Sequence, residues 1–187
     1  MTRSLVVLAV VALAGAADAA SFVLDDAQQR AAIATGARSV TSESLEGEWQ
    51  VANGNGETVL VMTPFHRLAI AARHAAFKNE PLRPRDVERT LKEDAGRLVL
   101  WAQLRGRRED FARHYAPRLL VGDRQIRPSF VQNERTAMRL DDGTFVARCV
   151  YGFPVRDLDC QARVALVVAD ADGRDVSRFT IDLARMR

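Results

Sequence analysis

The sequence contains little lysine, cysteine or histidine, and each shortage limits the chemistry that the chain can carry. Of the 27 basic residues among its 187, only Lys78 and Lys92 are lysines, and the others are arginines. Cysteine occurs twice and histidine three times. Apolar residues make up 48%, charged residues 27% and aromatic residues 6%. This composition is typical of one folded domain and excludes a disordered or collagen-like chain.

The first 19 residues have the composition of a secretory signal peptide. Arg3 gives a short positive region, residues 5–13 are unbroken apolar sequence, and Ala17-Asp18-Ala19 offers an A-x-A cleavage pattern. We predict a signal peptide over 1–19 and a mature chain from Ala20. The alternative is a membrane anchor, but the apolar stretch ends near Ala17, short of the roughly 20 residues that span a bilayer.

The same segment predicts that the mature chain has no lipid anchor. Bacterial lipoproteins carry a lipidated cysteine at the end of a short box, and the corresponding residue here is Ala16. No later apolar run approaches membrane length, so we expect no membrane span after cleavage. The predicted location is the periplasm or the extracellular space.

Cys149 and Cys160 both belong to the mature chain. An even cysteine count in an exported protein favours a disulfide. Their spacing excludes a C-x-x-C redox motif, and two thiols cannot complete a four-ligand zinc site without two further ligands. We therefore predict a structural disulfide between them.

The mature chain is interpreted as one globular domain over 20–187, with a helical and hairpin part (22–96) and a strand-rich part (97–187). Helices are predicted from residue 25 to a left-handed turn at Gly36, over 67–77 and over 85–95. The sequence Asn53-Gly54-Asn55-Gly56 predicts a hairpin turn. Strands are predicted at 48–52, 57–62, 98–104, 119–121, 124–127, 144–153, 163–169 and 176–183.

Because most of the helical pattern precedes residue 96, alternating βαβ units are disfavoured. We predict a mainly β fold, an antiparallel β-sandwich with helical embellishments in the N-terminal half.

A group of short motifs in the C-terminal half is more particular. Pro128-Ser129-Phe130 precedes Asn133-Glu134-Arg135-Thr136, and a hairpin turn leads into Val150-Tyr151-Gly152-Phe153-Pro154. Over residues 97–183 the chain resembles the Ig-like β-sandwich domain of unknown function found in secreted bacterial proteins and lipoproteins. It departs from that pattern in its helical N-terminal half and its missing lipid-attachment cysteine. The resemblance implies an extracytoplasmic Ig-like sandwich used for interaction or scaffolding, and it carries over no catalytic residue.

The sequence shows no catalytic or metal-binding constellation. His66 and His74 lie eight residues apart, too far along one helix to share a metal ion. His114 follows Asp110 by one helical turn, a common surface pairing. Neither H-E-x-x-H nor G-x-S-x-G occurs. We predict no catalytic residue, cofactor or metal; a periplasmic enzyme that uses His114 or His66 is the third hypothesis.

Residues 170–175 superficially resemble a calcium loop. The EF-hand pattern places glycine sixth and glutamate twelfth, whereas here Gly173 is fourth and Ile181 twelfth. A hairpin turn between Val168 and Val176 explains the same residues, and we favour the turn.

The first candidate ligand site is a basic group formed by Arg105, Arg107 and Arg108. Arginine forks bind phosphate and similar groups bidentately, so residues 105–118 are a candidate for binding anionic envelope material. Nucleic acid requires stacking aromatics and is seldom met by an exported protein, so none is predicted as a partner. The alternative is that interleaved acids such as Glu109 and Asp110 neutralise the group.

The second candidate site is the polar run Gln132, Asn133, Glu134 and Arg135 between two predicted strands. Loops at one end of a sandwich commonly carry recognition, although a loop held by its own hydrogen bonds fits the same residues. The leading hypothesis is an exported, non-enzymatic binding or scaffold protein of unknown ligand, whose partner is an envelope protein or a polyanion.

Overall fold

The computed structural model describes residues 21–42 and 45–187, so the predicted signal peptide lies outside the described residues. No helix in the described part is long and apolar enough to cross a membrane. In chain order the elements are α1 (Asp26–Arg38), β1 (Gln50–Ala52), β2 (Thr58–Met62), α2 (Pro64–Phe77), α3 (Pro84–Glu93), β3 (Arg97–Gly106), β4 (Ala116–Val121), β5 (Arg124–Ile126), β6 (Phe130–Gln132), β7 (Met138–Arg139), β8 (Phe145–Pro154), β9 (Arg163–Ala169) and β10 (Asp175–Asp182), with short 3₁₀ helices at Val155–Asp157 and Leu183–Arg185.

The strands form two antiparallel sheets, which confirms the predicted mainly β class. The first sheet has six strands in the order β1-β2-β3-β8-β6, with β7 pairing separately with β8. The second has four strands in the order β10-β9-β4-β5. The β1–β2 hairpin therefore belongs to the same sheet as the long strand β3, which begins at Arg97.

The long strands β3 and β8 form the centre of the first sheet. They pair in register from Arg97 opposite Pro154 to Gly106 opposite Phe145. In β3, Leu98, Leu100, Ala102 and Leu104 are buried, while Trp101 and Gln103 are exposed. The predicted strand at 98–104 is confirmed, and it lies between β2 and β8.

Local chemistry explains where the first two helices begin. Asp25 accepts a hydrogen bond from the backbone N–H of Gln28, and the Gln28 side chain accepts one from Asp25, forming a capping box. Thr63 caps α2 in the same way through the N–H of His66, and Pro64 occupies the first turn. The predicted helix at 67–77 is confirmed and begins three residues earlier.

Gly36 does not end α1, which corrects the prediction of a left-handed closing turn there. The helix continues to Arg38. Gly36 lies inside it, at the place where α1 and α2 touch. A β-carbon at Gly36 would lie 2.0 Å from the carbonyl oxygen of Ala69. Glycine is therefore required for the close approach of the two helices.

Helix α3 is attached to the molecule more loosely than α1 and α2. It contains no buried residue, and its apolar contacts come from the partly buried Val87 and Leu91. Gly96, at φ +78°, follows the helix as predicted and turns the chain into β3.

One hydrophobic cluster includes side chains from both sheets and from α1 and α2. Its largest fully buried members are Trp49, Tyr151, Phe153 and Phe179. From β9, Val164, Leu166 and Val168 enter the cluster, and from β8, Ala147, Cys149 and Tyr151 do. Each sheet therefore contributes one face to the cluster, and the other face of the first sheet is partly open.

Candidate functional site

The structure holds Cys149 and Cys160 as free thiols, which corrects the predicted disulfide. Cys149 lies in the middle of β8 on the buried face, and five more residues of strand, about 17 Å, lead to Pro154. Cys160 follows beyond the next 3₁₀ helix. A disulfide needs Cα atoms within about 7 Å. Burial also raises the pKa of the Cys149 thiol, which disfavours the reactive thiolate form.

The three histidines lie in different settings. His74 and His114 are exposed, whereas His66 is fully buried on α2. The His66 ring stacks on Trp49, and its Nδ1 lies 3.3 Å from the carbonyl oxygen of Val61. Its Nε2 has no hydrogen-bond partner among the residues that the structure describes. Burial lowers the pKa of His66 to about 4, so the ring is neutral at pH 7.

The described part of the chain contains no candidate metal site, because no three His, Cys, Asp or Glu side chains lie close enough together to hold an ion. The acidic residues at 170–175 form the turn between β9 and β10. The Asp170 carboxylate accepts hydrogen bonds from the backbone N–H groups of Asp172 and Arg174. The hydrogen bond from the Arg174 backbone and the nearby Arg174 guanidinium lower the pKa of Asp170. The preference for a hairpin turn is confirmed.

Two of the three arginines in the predicted basic group form ion pairs with acidic side chains. Arg108 forms a bidentate pair with Asp110, and Arg105 lies 3.5 Å from Asp142. The Arg108 hydrogen bond lowers the pKa of the Asp110 carboxyl. Arg107 is exposed and has no ion pair among the described residues.

In the polar run at 132–135, two residues form hydrogen bonds within the fold and the other two are exposed to solvent. Asn133 donates to the carbonyl oxygen of Tyr115 and accepts from the Tyr151 hydroxyl. Glu134 accepts from the backbone N–H of Arg148 at 2.6 Å. Gln132 and Arg135 remain exposed. Asn133 and Glu134 thus join three segments of the fold, and Arg135 has no ion pair within 21–42 and 45–187.

A partly open apolar surface lies on the face of the first sheet opposite the core, and we call it the outer face. Strand register places Leu60, Trp101, Val150 and Gln132 side by side across β2, β3, β8 and β6. The next row holds Thr58, Gln103 and Arg148. A shallow depression of about 120 Å³ beside Trp101 includes Leu60, Val150 and Arg148 in its lining.

Large apolar side chains on the outer face are open to solvent. Trp101 is 51% exposed, Met138 on β7 is 54% exposed and Phe130 on β6 is 42% exposed. Arg105 and Arg148 lie on the same face as diagonal neighbours across the β3–β8 pair. Diagonal neighbours in an antiparallel pair are about 7–8 Å apart. The Arg148 guanidinium has no partner in the described part of the chain.

The outer face was not among the sites predicted from the sequence. The signal was present in β3, where Val99 and Trp101 lie on the face opposite Leu98 and Leu100. The alternation by itself predicts a strand at 98–104 and does not show that one of its faces is open to solvent. The pairing of Trp101 with Leu60 and Val150 depends on strand register, which links residues far apart in the sequence.

Comparison with known proteins gives two remote structural likenesses. A protein of unknown function from Burkholderia pseudomallei K96243 is similar at 13% identity and a TM-score of 0.43, over 87% of this chain and 94% of that chain. The IgNAR antibody domain C3 is similar at 16% identity and a TM-score of 0.33, over 54% of this chain and 86% of that domain. No family model and no curated protein matches the sequence. No function follows from these likenesses.

Proposed function

We propose that the protein is an exported, non-enzymatic binding module and that the outer face of the first sheet binds a protein partner of the cell envelope. The observation that carries the proposal is the half-exposed indole of Trp101 at the centre of an apolar row. A large exposed apolar patch on a folded domain is typical of an interaction surface.

The composition of the outer face favours a protein as the partner. Trp, Met, Phe and Arg are enriched in protein interfaces, and Trp and Arg dominate their hot spots. Here Trp101, Met138 and Phe130 provide the apolar contacts, and Arg105 and Arg148 lie beside them. We therefore expect a partner surface with an apolar centre and carboxylates at one side.

The test compares Trp101→Ala with Phe77→Ala, a matched control at the end of α2 whose side chain is 75% exposed. Envelope proteins retained by the wild-type chain are identified and made as pure proteins, and the dissociation constant of each is measured with both variants. The proposal predicts that one of them binds at least tenfold more weakly to Trp101→Ala and unchanged to Phe77→Ala. It is wrong if every pure partner binds both variants equally.

Binding of anionic envelope material through the basic group is the second candidate, and the exposed, unpaired state of Arg107 favours it. Co-sedimentation with lipopolysaccharide tests it. Binding that falls when Arg105, Arg107 and Arg108 are changed to Ala, and that weakens with salt, supports this function. Binding that changes neither with these substitutions nor with salt excludes this function.

Two further parts of the proposal concern architecture and export. We propose that the two sheets pack face to face as an Ig-like sandwich, which the shared hydrophobic cluster supports. We also propose cleavage before Ala20 and release into the periplasm or medium. A crystal structure of the mature chain tests the packing, and N-terminal sequencing of the exported protein tests the cleavage.

A further inference from the structure

A second cavity lies at the α3 end of the outer face, between the N-terminal segment, the start of α2 and the inner side of α3. Strand register places two of its lining residues, Met62 and Arg97, on the same face as Trp101. The volume of the cavity is about 300 Å³, at the lower end of the range for small-molecule pockets. Helix α3 forms one wall, and because α3 contains no buried residue it is the element most easily displaced to admit a ligand.

The cavity is lined mainly by hydrocarbon. Its apolar lining consists chiefly of Phe22, Leu24, Met62, Leu91 and Val155. These side chains come from separate segments and surround a space that no side chain of residues 21–42 and 45–187 fills. Such a lining favours an alkyl chain and offers little to a sugar or a nucleotide, which need several convergent polar groups.

Polar groups are concentrated where α3 turns into β3. Arg67 contacts the carboxylates of both Glu93 and Asp94. Arg97, the first residue of β3, lies 3.6 Å from Asp94 and 3.4 Å from the carbonyl oxygen of Glu93. A guanidinium has five N–H donors, and these two long contacts leave donors of Arg97 available at the cavity wall.

We propose that this cavity binds a fatty acid, with the alkyl chain against Leu24, Met62 and Leu91 and the carboxylate paired with Arg97. An arginine fork matches a carboxylate bidentately, which complements the apolar lining at one end only. A ligand with one charged end and one hydrocarbon tail satisfies both parts. This site goes beyond the protein-binding function proposed for the outer face. It lies at the α3 end of that face and includes none of the residues that carry the first proposal, which are Trp101, Met138, Phe130, Arg105 and Arg148.

The test is calorimetric titration of the mature chain with decanoate and with 1-decanol. Decanoate is expected to bind at one site and to bind Arg97→Gln at least tenfold more weakly. Arg89→Gln, the same change on the exposed side of α3, is the matched control and is expected to bind as the wild type. Decanol, which lacks the charge, is expected to bind Arg97→Gln and wild type equally.

Two variants that fill the cavity, Leu91→Trp and Val155→Trp, are expected to abolish decanoate binding. Two variants are used so that the site can still be tested if one of them fails to fold. Trp101→Ala is expected to bind decanoate normally, which separates this result from failure of the outer-face proposal. The inference is overturned if decanoate does not bind, if Arg97→Gln and Arg89→Gln behave alike, or if a folded cavity-filling variant still binds decanoate.

Discussion

The imidazole of His66 stacks on the indole of Trp49, with ring centroids 4.4 Å apart and planes 7° from parallel. The Trp49 indole N–H donates to the backbone oxygen of Arg187, and the Arg187 guanidinium lies over the rings of Trp49 and Phe65. The stack therefore joins α2 to the last residue of the sequence. Burial in this place disfavours the protonated form of His66.

Stability is expected to fall in acid because of His66. Burial lowers its pKa in the folded state from 6.5 to about 4, so the unfolded chain takes up the proton first. The stabilisation is complete above pH 6.5 and is lost as the pH falls towards 4. Between pH 7.5 and pH 5.0 the loss from this group is about 2 kcal/mol.

Urea unfolding of His66→Phe at the two pH values measures that contribution. The variant is expected to lose about 2 kcal/mol less than the wild type between them. The matched control is His74→Phe, which changes an exposed residue of the same helix and is expected to keep the wild-type pH dependence. Equal pH dependence in all three proteins would contradict the role given to His66.

Gly36→Ala is expected to destabilise the fold by about 1–3 kcal/mol or more, because the new methyl group meets the carbonyl of Ala69 and forces α1 away from α2. Gly54→Ala is the control. No atom lies within 4 Å of a β-carbon there, and its effect is expected to stay within about 0.5 kcal/mol. Thermal unfolding compares the two, and equal stabilities would count against the close helix contact.

The thiols are expected to differ in reactivity. Cys160 is partly exposed and is expected to react with a thiol reagent in the folded protein, whereas the buried Cys149 reacts only after unfolding. Without reductant, the denatured chain is expected to show both thiols. A mass two hydrogens lower, with no titratable thiol, would restore the disulfide interpretation.

Asn133 is expected to support the fold. Asn133→Ala removes the acceptor of the buried Tyr151 hydroxyl and is expected to cost about 1–3 kcal/mol. Adding Tyr151→Phe removes the hydroxyl that lost this acceptor, so the double change is expected to cost less than the sum of the single changes. Arg135→Ala, at an exposed site, is the control. Strict additivity would show that the Asn133–Tyr151 bond contributes nothing.

Features set by neighbouring residues were predictable from the sequence. The cap at Asp25, the turn at Asn53-Gly54-Asn55-Gly56 and the alternation in β8 depend on local chemistry, and each corresponds to an observed element. The role of Gly36 was not predictable, because the residue that requires it, Ala69, lies on another helix.

The candidate sites were harder to predict for the same reason. Residue type drew attention to Arg105 and Arg108. The acid that pairs with Arg108, Asp110, is a sequence neighbour and was predictable, whereas Asp142, which pairs with Arg105, is far away in the sequence and became visible only in three dimensions. Trp101 gained its apolar neighbours through the pairing of three strands. The predicted disulfide was wrong because cysteine count carries no information about which face or end of a strand each thiol occupies.

The central claim, that the outer face binds a partner, is tested most directly by photo-crosslinking in cells that produce the protein. A photoreactive phenylalanine analogue replaces Gln103, beside Trp101 on the outer face, or Gln125, an exposed residue of β5 in the other sheet. We expect a discrete protein adduct from position 103 that disappears when Trp101→Ala is added, and none from position 125. No adduct at 103, or the same adduct at both positions, would contradict the claim.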